Sequence, residues 1–372
     1  MIKIGVTGKN GFIGSHLINT INISESEFCL IDFDREFFKT PAKLDQFVRS
    51  CDVIVHLAAV NRDLCTENLM NTNIDLVQSL INSLKRTNSK PHVILSSSVQ
   101  ELSNNTYGKS KYLGRKMLAE WANTYGALFT GLIIPNVFGP FGKPYYNSVV
   151  STFCSQLILN EPPIIINDSE LNLIYVGELI DIILDKIRTK NNSHNCVVEG
   201  TSSLKVSELL ERLKYFKSIY YDEGEIPFLN NNFDVNLFNT FRSYIDLATF
   251  FPKNILQHKD NRGSFTEVIR SNSPGQSSFS TTIPKVVRGN HFHTRKIERF
   301  CIVKGKAKIQ LRRFGQDSVH EFILDGESPC YIDMPIWYTH NLTNIGDDEL
   351  LTIFWINEPY DPKNPDTYYE TV

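Results

Sequence analysis

Two groups of side chains in this sequence have the types and spacing to do chemistry. In the C-terminal third, His291, His293 and Glu298 stand in the order H-x-H-x4-E, with Gly305 beyond them and then Pro335 and His340. Histidines at i and i+2 project from the same side of a strand, so both imidazoles can face one ion. A carboxylate from the next stretch and an imidazole from a later strand would complete a three-His, one-carboxylate set, leaving room for water or substrate. The first cluster should arise by chance in about one random sequence in a thousand, so a metal site outweighs interior histidines satisfied by hydrogen bonds. Spacing alone does not say which metal.

The second group lies in the N-terminal half. Tyr107 and Lys111 are four residues apart in Tyr107-Gly108-Lys109-Ser110-Lys111. On a helix both fall on one face, where the ammonium can lower the phenol pKa and hold a nicotinamide ribose. About one such pair is expected by chance in this chain, and Tyr112 with Lys116 makes a second. Position singles out the first. It follows Ser96-Ser97-Ser98 at the end of an apolar run, where the Ser98 hydroxyl could help polarise a carbonyl. A dinucleotide would be held by Gly8, Gly11 and Gly14, a G-x-x-G-x-x-G turn directly after the first strand. The turn opens a helix at Phe12 and Ile13, whose positive end receives a pyrophosphate. The second strand runs into Asp32, Asp34 and Arg35. A carboxylate there suits the ribose of NAD and an Arg the 2'-phosphate of NADP, so the residues leave the choice open.

The elements that must position these groups change character along the chain. Ile2 to Val6, Phe28 to Ile31, Val53 to Leu57, Val93 to Leu95 and Leu128 to Ile134 read as short buried strands. Helix-compatible stretches such as Asn73 to Lys85 and Ser110 to Tyr125 alternate with them, the pattern of an α/β doubly wound parallel sheet. Residues 200 to 250 read as helical and end at Phe251-Pro252-Lys253, a linker. Beyond it, Ser264 to Ile269, Ser278 to Ile283, Glu298 to Val303, Ala307 to Arg312, Cys330 to Asp333 and Leu350 to Trp355 read as closely spaced strands of an all-β barrel or jelly roll. The expected domains are residues 1–250 and 255–372.

The 372 residues exceed one ordinary core, in keeping with two domains. With 38 basic against 41 acidic residues, a net charge of -3 and no Lys/Arg stripe, nucleic acid is not the expected partner. No apolar run approaches the roughly 18 residues of a membrane span, and the N-terminus begins at once with a strand, so a cytoplasmic protein is expected. The seven Cys are odd in number, scattered and never C-x-x-C, as reduced thiols would be.

The first 240 or so residues resemble the extended short-chain dehydrogenase/reductases. The matching pieces are Thr7-Gly8 through Gly14, His56-Leu57-Ala58-Ala59, the Ser triplet, the Tyr107-to-Lys111 stretch and Pro135-Asn136-Val137-Phe138-Gly139-Pro140. The resemblance implies that Tyr107 is the general acid and Lys111 its partner, that Leu57, Ala58, Ala59, Pro135 and Asn136 line the cofactor, and that substrates are nucleotide-linked sugars. Val99-Gln100 stand where the family's 4,6-dehydratases carry Asp-Glu, which disfavours water elimination. The His/Glu cluster resembles the first cupin motif. Pro335, His340 and Asn344 fit a looser second one, in which Trp337 takes the usual Gly position. Asp260 through Glu267 and Arg288-Gly289-Asn290-His291 resemble the sugar-nucleotide 3,5-epimerase branch of cupins.

The fusion is similar over essentially its whole length to the CapF family of capsular-polysaccharide enzymes. That resemblance implies homodimers with two activities. A zinc-bearing cupin epimerises C3 of a UDP-2-acetamido-2,6-dideoxy-4-ketohexose, and the reductase domain then reduces C4 with NADPH to give UDP-2-acetamido-2,6-dideoxy-L-talose. Tyr338, beside His340, is a candidate for moving the C3 proton. Two rival readings are an NAD-dependent C4 epimerase whose cupin only binds sugar, and a non-enzymatic nucleotide-sensing scaffold. The Tyr107/Lys111 pair argues against the second, since a sensor needs neither.

Overall fold

Apolar runs with near-continuous burial form a parallel sheet in the first half of the chain. In the computed structural model, which describes every residue except Glu25, Asp63 and Leu64, its strands are β1 (Ile2–Thr7), β2 (Phe28–Ile31), β3 (Val53–His56), β4 (His92–Ser98) and β5 (Phe129–Ile134). β6 (Asn136–Phe138), β7 (Glu170–Tyr175) and β9 (Ser202–Lys205) make a small separate sheet, while β8 (Ser193–Val197) joins the main one in the order β2-β1-β3-β4-β5-β8. The helices are α1 (Phe12–Asn22), α2 (Pro41–Ser50), α3 (Thr66–Thr87), α4 (Thr106–Tyr125), α5 (Val149–Ile158) and α6 (Val176–Thr189).

Alternate residues of each strand face opposite layers. Ile4, Val6, Val55 and Ile94 pack with Leu17 and Ile21 of α1 and Leu179 and Ile183 of α6. Ile54, Val93 and Leu95 pack with Phe47 of α2, Leu80 of α3 and Leu118 and Trp121 of α4. This doubly wound core aligns the C-terminal ends of β1, β3 and β4, with Thr7 opposite His56 and His56 opposite Leu95. The turn, Asp32 and Leu57 therefore follow adjacent strand ends and the Ser triplet forms the end of β4, where open α/β sheets bind ligands.

The chain divides into two units, Met1–Thr152 with Ser169–Lys205, and Phe153–Asp168 with Val206–Val372. From Val206 on, the second holds α7 (Val206–Phe216), α8 (Asn232–Arg242) and α9 (Leu247–Phe250), in keeping with the helical expectation for residues 200 to 250. The expected linker is part of the packing. Phe251 is buried, and β10 (Lys253–Asn254) pairs with the barrel at Tyr331 and Cys330. After the hairpin of β11 (Gln257–Asp260) and β12 (Gly263–Thr266) come β13 (Gln276–Thr282), β14 (Val287–Phe292), β15 (Glu298–Lys304), β16 (Lys306–Arg313) and β17 (Val319–Asp325). β18 (Cys330–Met334), β19 (Tyr338–Asn344), β20 (Leu350–Ile356) and β21 (Tyr368–Tyr369) complete the series. They form two antiparallel sheets, β10-β18-β15-β20-β13 and β17-β16-β19-β14-β21.

Helix α8 is joined to this barrel by buried polar groups. Asn239 Nδ2 donates to the Arg295 carbonyl at 2.9 Å and Arg242 Nη2 to that of Met334 at 2.9 Å. Arg299, in an ion pair with Asp333 at 2.7 Å, also donates to the Gly224 carbonyl at 2.6 Å.

Candidate active site and metal centre

The glycine turn folds as its spacing requires. Gly8 has φ +76, and a Cβ on Gly14 would lie 2.3 Å from the Gly8 carbonyl oxygen, so α1 can start this close to β1 only with glycine there. Gly11 caps α1, leaving the N–H groups of its first turn, Phe12 and Ile13 among them, at the positive end. Leu57 N donates to the Thr7 carbonyl at 3.1 Å, which holds the Leu57-Ala58-Ala59 segment against the turn. Asp32 is engaged by Lys9 at 2.5 Å, and that ammonium holds its carboxyl below the ordinary range. Asp34 caps the short turn of helix at 35–39 by accepting from Glu36 N, and Arg35 is exposed on that turn. Pro135 and Asn136 connect β5 to β6.

Helix α4 carries Tyr107 and Lys111. Asn105 caps it, its Oδ1 accepting from Gly108 N at 2.7 Å. A Cβ on Gly108 would lie 1.9 Å from the Gln100 carbonyl oxygen, so this glycine lets the first turn of α4 lie against the segment after Ser98. Lys111 is buried with Nζ 3.5 Å from Ser96 Oγ, and burial pushes its pKa down to about 8 against the opposing pull of Glu101. Contrary to the lowering expected from Lys111, burial, with Tyr146 nearby, pushes the Tyr107 phenol up to about 12, so it stays protonated. Tyr112 is 38% exposed, with its ring beside Arg115 and Lys116. Ser98 accepts from Gln100 N at 3.2 Å and caps the turn that follows β4.

Sequence reasoning missed the polar framework beneath this site. Glu101 and Arg115 form a buried pair at 2.5 Å, and Glu101 also accepts from Ser97 Oγ. Asn73 of α3 bonds Val60 through both its amide atoms and reaches Ser110 at 2.9 Å, tying the segment after β3 to α4. A signal was present: Lys111, Arg115, Leu118 and Ala122 make one buried helical stripe, in which a second cation needs a partner.

In the barrel, His291 and His340 come from β14 and β19 of one sheet and Glu298 from β15 of the other, with His293 just past β14. Their ligand atoms lie within 4.8 Å of one another. His293 Nε2 and His340 Nε2 stand 3.2 and 3.4 Å from Glu298 Oε2. Ligands about 2.0–2.1 Å from a tetrahedral ion are about 3.3 Å apart, so these separations fit the edges of such a site. His293 Nδ1 donates to the Asp366 carbonyl and His340 Nδ1 to that of Tyr338, which leaves each Nε2 as a bare lone pair. Both Nε2 atoms and Glu298 Oε2 are buried without a hydrogen-bond partner, an arrangement a cation would satisfy.

With no ion, protons take the cation's place in the cluster: burial opposes the charged form of Glu298, yet protons shared with His293 and His340 outweigh it and hold the carboxyl well below the usual range, whereas a cation would bind the same lone pairs with those protons gone. Burial, then His340 and His293, pushes His291 down to about 4, so it stays neutral. Trp337 has φ +61, the left-handed conformation natural to the glycine it replaces, and its N–H donates to the His293 carbonyl at 2.7 Å. Tyr338 lies opposite Arg313 in register. Burial pushes its phenol up while Arg313 pulls it back.

Among the described residues no disulfide is formed, and no helix is long and apolar enough to cross a membrane. Residues 4–198 match the model of the NAD dependent epimerase/dehydratase family, and residues 258–368 match the polysaccharide biosynthesis C-terminal domain. A UDP-2-acetamido-2,6-beta-L-arabino-hexul-4-ose reductase of Pseudomonas aeruginosa is 31% identical over 370 residues, covering 99% of this chain and 98% of its own. The crystal structure of the capsular polysaccharide assembling protein CapF from Staphylococcus aureus matches over 100% of both chains, with 33% identity and a TM-score of 0.63. CapF with the inhibitor 3-isopropenyl-tropolone matches over the same span, with 31% identity and a TM-score of 0.60. The chain therefore belongs to the NAD dependent epimerase/dehydratase family, in the CapF-like form that joins an extended short-chain reductase to a C-terminal polysaccharide biosynthesis domain.

Proposed function

We propose that this chain is a bifunctional UDP-sugar enzyme of capsular polysaccharide synthesis. Its barrel epimerises C3 of a UDP-2-acetamido-2,6-dideoxy-4-ketohexose, and its N-terminal sheet then reduces C4 with NADPH to give UDP-2-acetamido-2,6-dideoxy-L-talose. The observation that carries this reading is the pairing in one chain of two separate constellations, Tyr107 with Lys111 and His291, His293, Glu298 with His340, each partly to fully buried and each suited to one step. The near-full-length relative named as a 4-keto-sugar reductase supports it.

Zinc is the metal the three-His, one-carboxylate set fits best, and His291, His293, Glu298 and His340 would hold it. When bound, it supplies positive charge beside the enolate that forms as C3 loses its proton, and the nicotinamide supplies hydride to C4. The chain's own residues do the rest. A 4-keto group acidifies the C3 hydrogen enough for a base to pass it to solvent, and Tyr338, its phenol kept protonated by burial, is the candidate to return a proton to C3. Tyr107 gives its proton to the oxygen at C4, for which a phenol held protonated at neutral pH is suited. Lys111 holds the nicotinamide ribose, and the Ser98 hydroxyl polarises the carbonyl. Gly8, Gly11, Phe12, Ile13 and Gly14 receive the pyrophosphate, with Leu57, Ala58, Ala59, Pro135 and Asn136 along the dinucleotide. Arg35 binds the 2'-phosphate, and the Lys9 contact that occupies Asp32 favours that choice. The working protein is a cytoplasmic homodimer.

The test is incubation in deuterated water with a UDP-4-keto-6-deoxy-N-acetylhexosamine and NADPH, with the product assigned by NMR. One NADPH consumed per sugar and deuterium at C3 are expected. His340→Ala should stop the exchange at C3, and Tyr107→Phe should leave exchange intact while stopping reduction. Exchange surviving in His340→Ala at the wild-type rate, or lost in Tyr107→Phe, would refute an independent epimerase. Tightly retained NAD with no net cofactor consumption would point to a C4 epimerase.

A further inference from the structure

The segment after β20 folds back along the strands that carry the ligand histidines. Tyr369 pairs with His291, Glu370 N donates to the Asn290 carbonyl at 3.0 Å, and Glu370 accepts from Thr339 beside His340. Its deepest anchor is Asp366, whose side chain is fully buried and whose backbone is left-handed with φ +43. The Asp366 carboxylate accepts from Thr294 N at 3.0 Å, Thr294 Oγ1 at 2.6 Å, Arg295 N at 3.0 Å and Lys296 N at 3.1 Å. Those are the first three of the four residues that connect His293 to Glu298. Successive N–H groups converging on one anion fix the path of that connection. The carbonyl of the same residue accepts the proton of His293 Nδ1. One residue thus holds the centre at two points, the ring of one ligand and the chain leading to the next.

We infer that Asp366 is a positioning residue of the metal centre: through its carbonyl it sets the ring orientation and tautomer of His293, and through its carboxylate the distance from His293 to Glu298. This rests on the metal reading proposed above. Asp366 itself is not a ligand, since its two oxygens are taken up by the turn. Another anchor of the segment acts mainly elsewhere. Arg295 Nη1 stands 3.9 Å from Asp366 Oδ1, but its close bonds go to Glu358 at 3.0 Å and the Asn364 carbonyl at 3.0 Å, so its side chain ties the segment down without touching a ligand.

That difference supplies the control. Zn2+ affinity of the full-length protein is measured by chelator competition, and the visible spectrum is recorded with saturating Co2+, for wild type, Asp366→Ala, Asp366→Asn and Arg295→Ala. Asp366→Ala should weaken Zn2+ binding roughly 10- to 100-fold, the usual effect of losing an outer partner of a ligand, while Arg295→Ala stays within about threefold. Asp366→Asn keeps one acceptor oxygen and should fall between. The Co2+ ligand-field bands should shift in the Asp366 variants and not in Arg295→Ala, a change that loss of tethering alone would not produce. Wild-type affinity and spectrum in Asp366→Ala, or an equal loss in Arg295→Ala, would overturn the inference. If Asp366→Ala does not fold, Asp366→Asn decides it by the same two readings. A wild-type protein that binds neither ion refutes the metal site, and this inference with it; tight wild-type binding with indifferent Asp366 variants refutes the inference alone.

Discussion

Replacing Lys111 with Met should make the N-terminal unit more stable while abolishing reduction. The Lys111 side chain is buried, and its pKa is pushed from 10.5 to about 8. Each pH unit corresponds to about 1.4 kcal/mol, so at neutral pH the buried ammonium costs about 3 kcal/mol of folding free energy. Against this, Met forfeits the contact with Ser96 Oγ, worth about 1 kcal/mol. The expected net gain is about 2 kcal/mol. The sign follows from proton counting: between pH 8 and 10.5 the unfolded chain binds the proton and the folded chain does not, so wild-type stability rises with pH across that window. The penalty is therefore full below pH 8 and mostly gone by pH 10. Urea unfolding of wild type and Lys111→Met at pH 7 and pH 10 reads both predictions, with NADPH turnover as the functional measure. A variant no more stable than wild type at pH 7, or one whose advantage persists unchanged at pH 10, would show that Lys111 is not held charged against a desolvation penalty.

Tyr107→Phe should abolish NADPH oxidation while Tyr112→Phe, at a half-exposed position, leaves it nearly intact; steady-state rates decide, and the reverse pattern would show that the second Tyr/Lys pair is the working one. Arg35→Ala should lower the NADPH-to-NADH preference by about tenfold, the worth of a charge-assisted hydrogen bond, and Lys9→Ala should lower it too by freeing Asp32. Titration of both cofactors measures this, and an unchanged ratio in Arg35→Ala removes that residue from the site. Gly108→Ala forces a Cβ into the Gln100 carbonyl and should destabilise the unit by about 2 kcal/mol in urea unfolding; an undiminished midpoint would mean that α4 can shift without loss.

The sheet was legible because its strands are apolar on both faces and bounded by turn residues, so Phe28–Ile31 and the first strand fell where expected. The strands bearing the His/Glu cluster were harder to see. β14 contains Gly289 and Asn290, both at positive φ, and β19 is polar at Tyr338, Thr339, His340 and Asn341 because its residues serve a site rather than a core. That the three histidines and Glu298 come together was legible from residue type and tight spacing. Nothing in the sequence gave Asp366 a role at the cluster, since it lies in a polar segment 73 residues from His293. Phe251-Pro252-Lys253 reads as a break because Pro interrupts any helix, yet its residues pack in because Phe251 is apolar and Lys253 can add a short edge strand.

The bonds from α8 and the Gly224 turn to the barrel bear on how such proteins could be assembled from parts. Arg299 makes its ion pair inside the barrel but depends on Gly224, outside it, for another of its hydrogen bonds, and Arg242 reaches inward to Met334. A barrel cut out at Pro252 would carry a buried guanidinium with one bond unmade and bare the surface that α8 covers. Exchange of barrels between related genes should therefore break upstream of Val206, so that the helices travel with the barrel they complete.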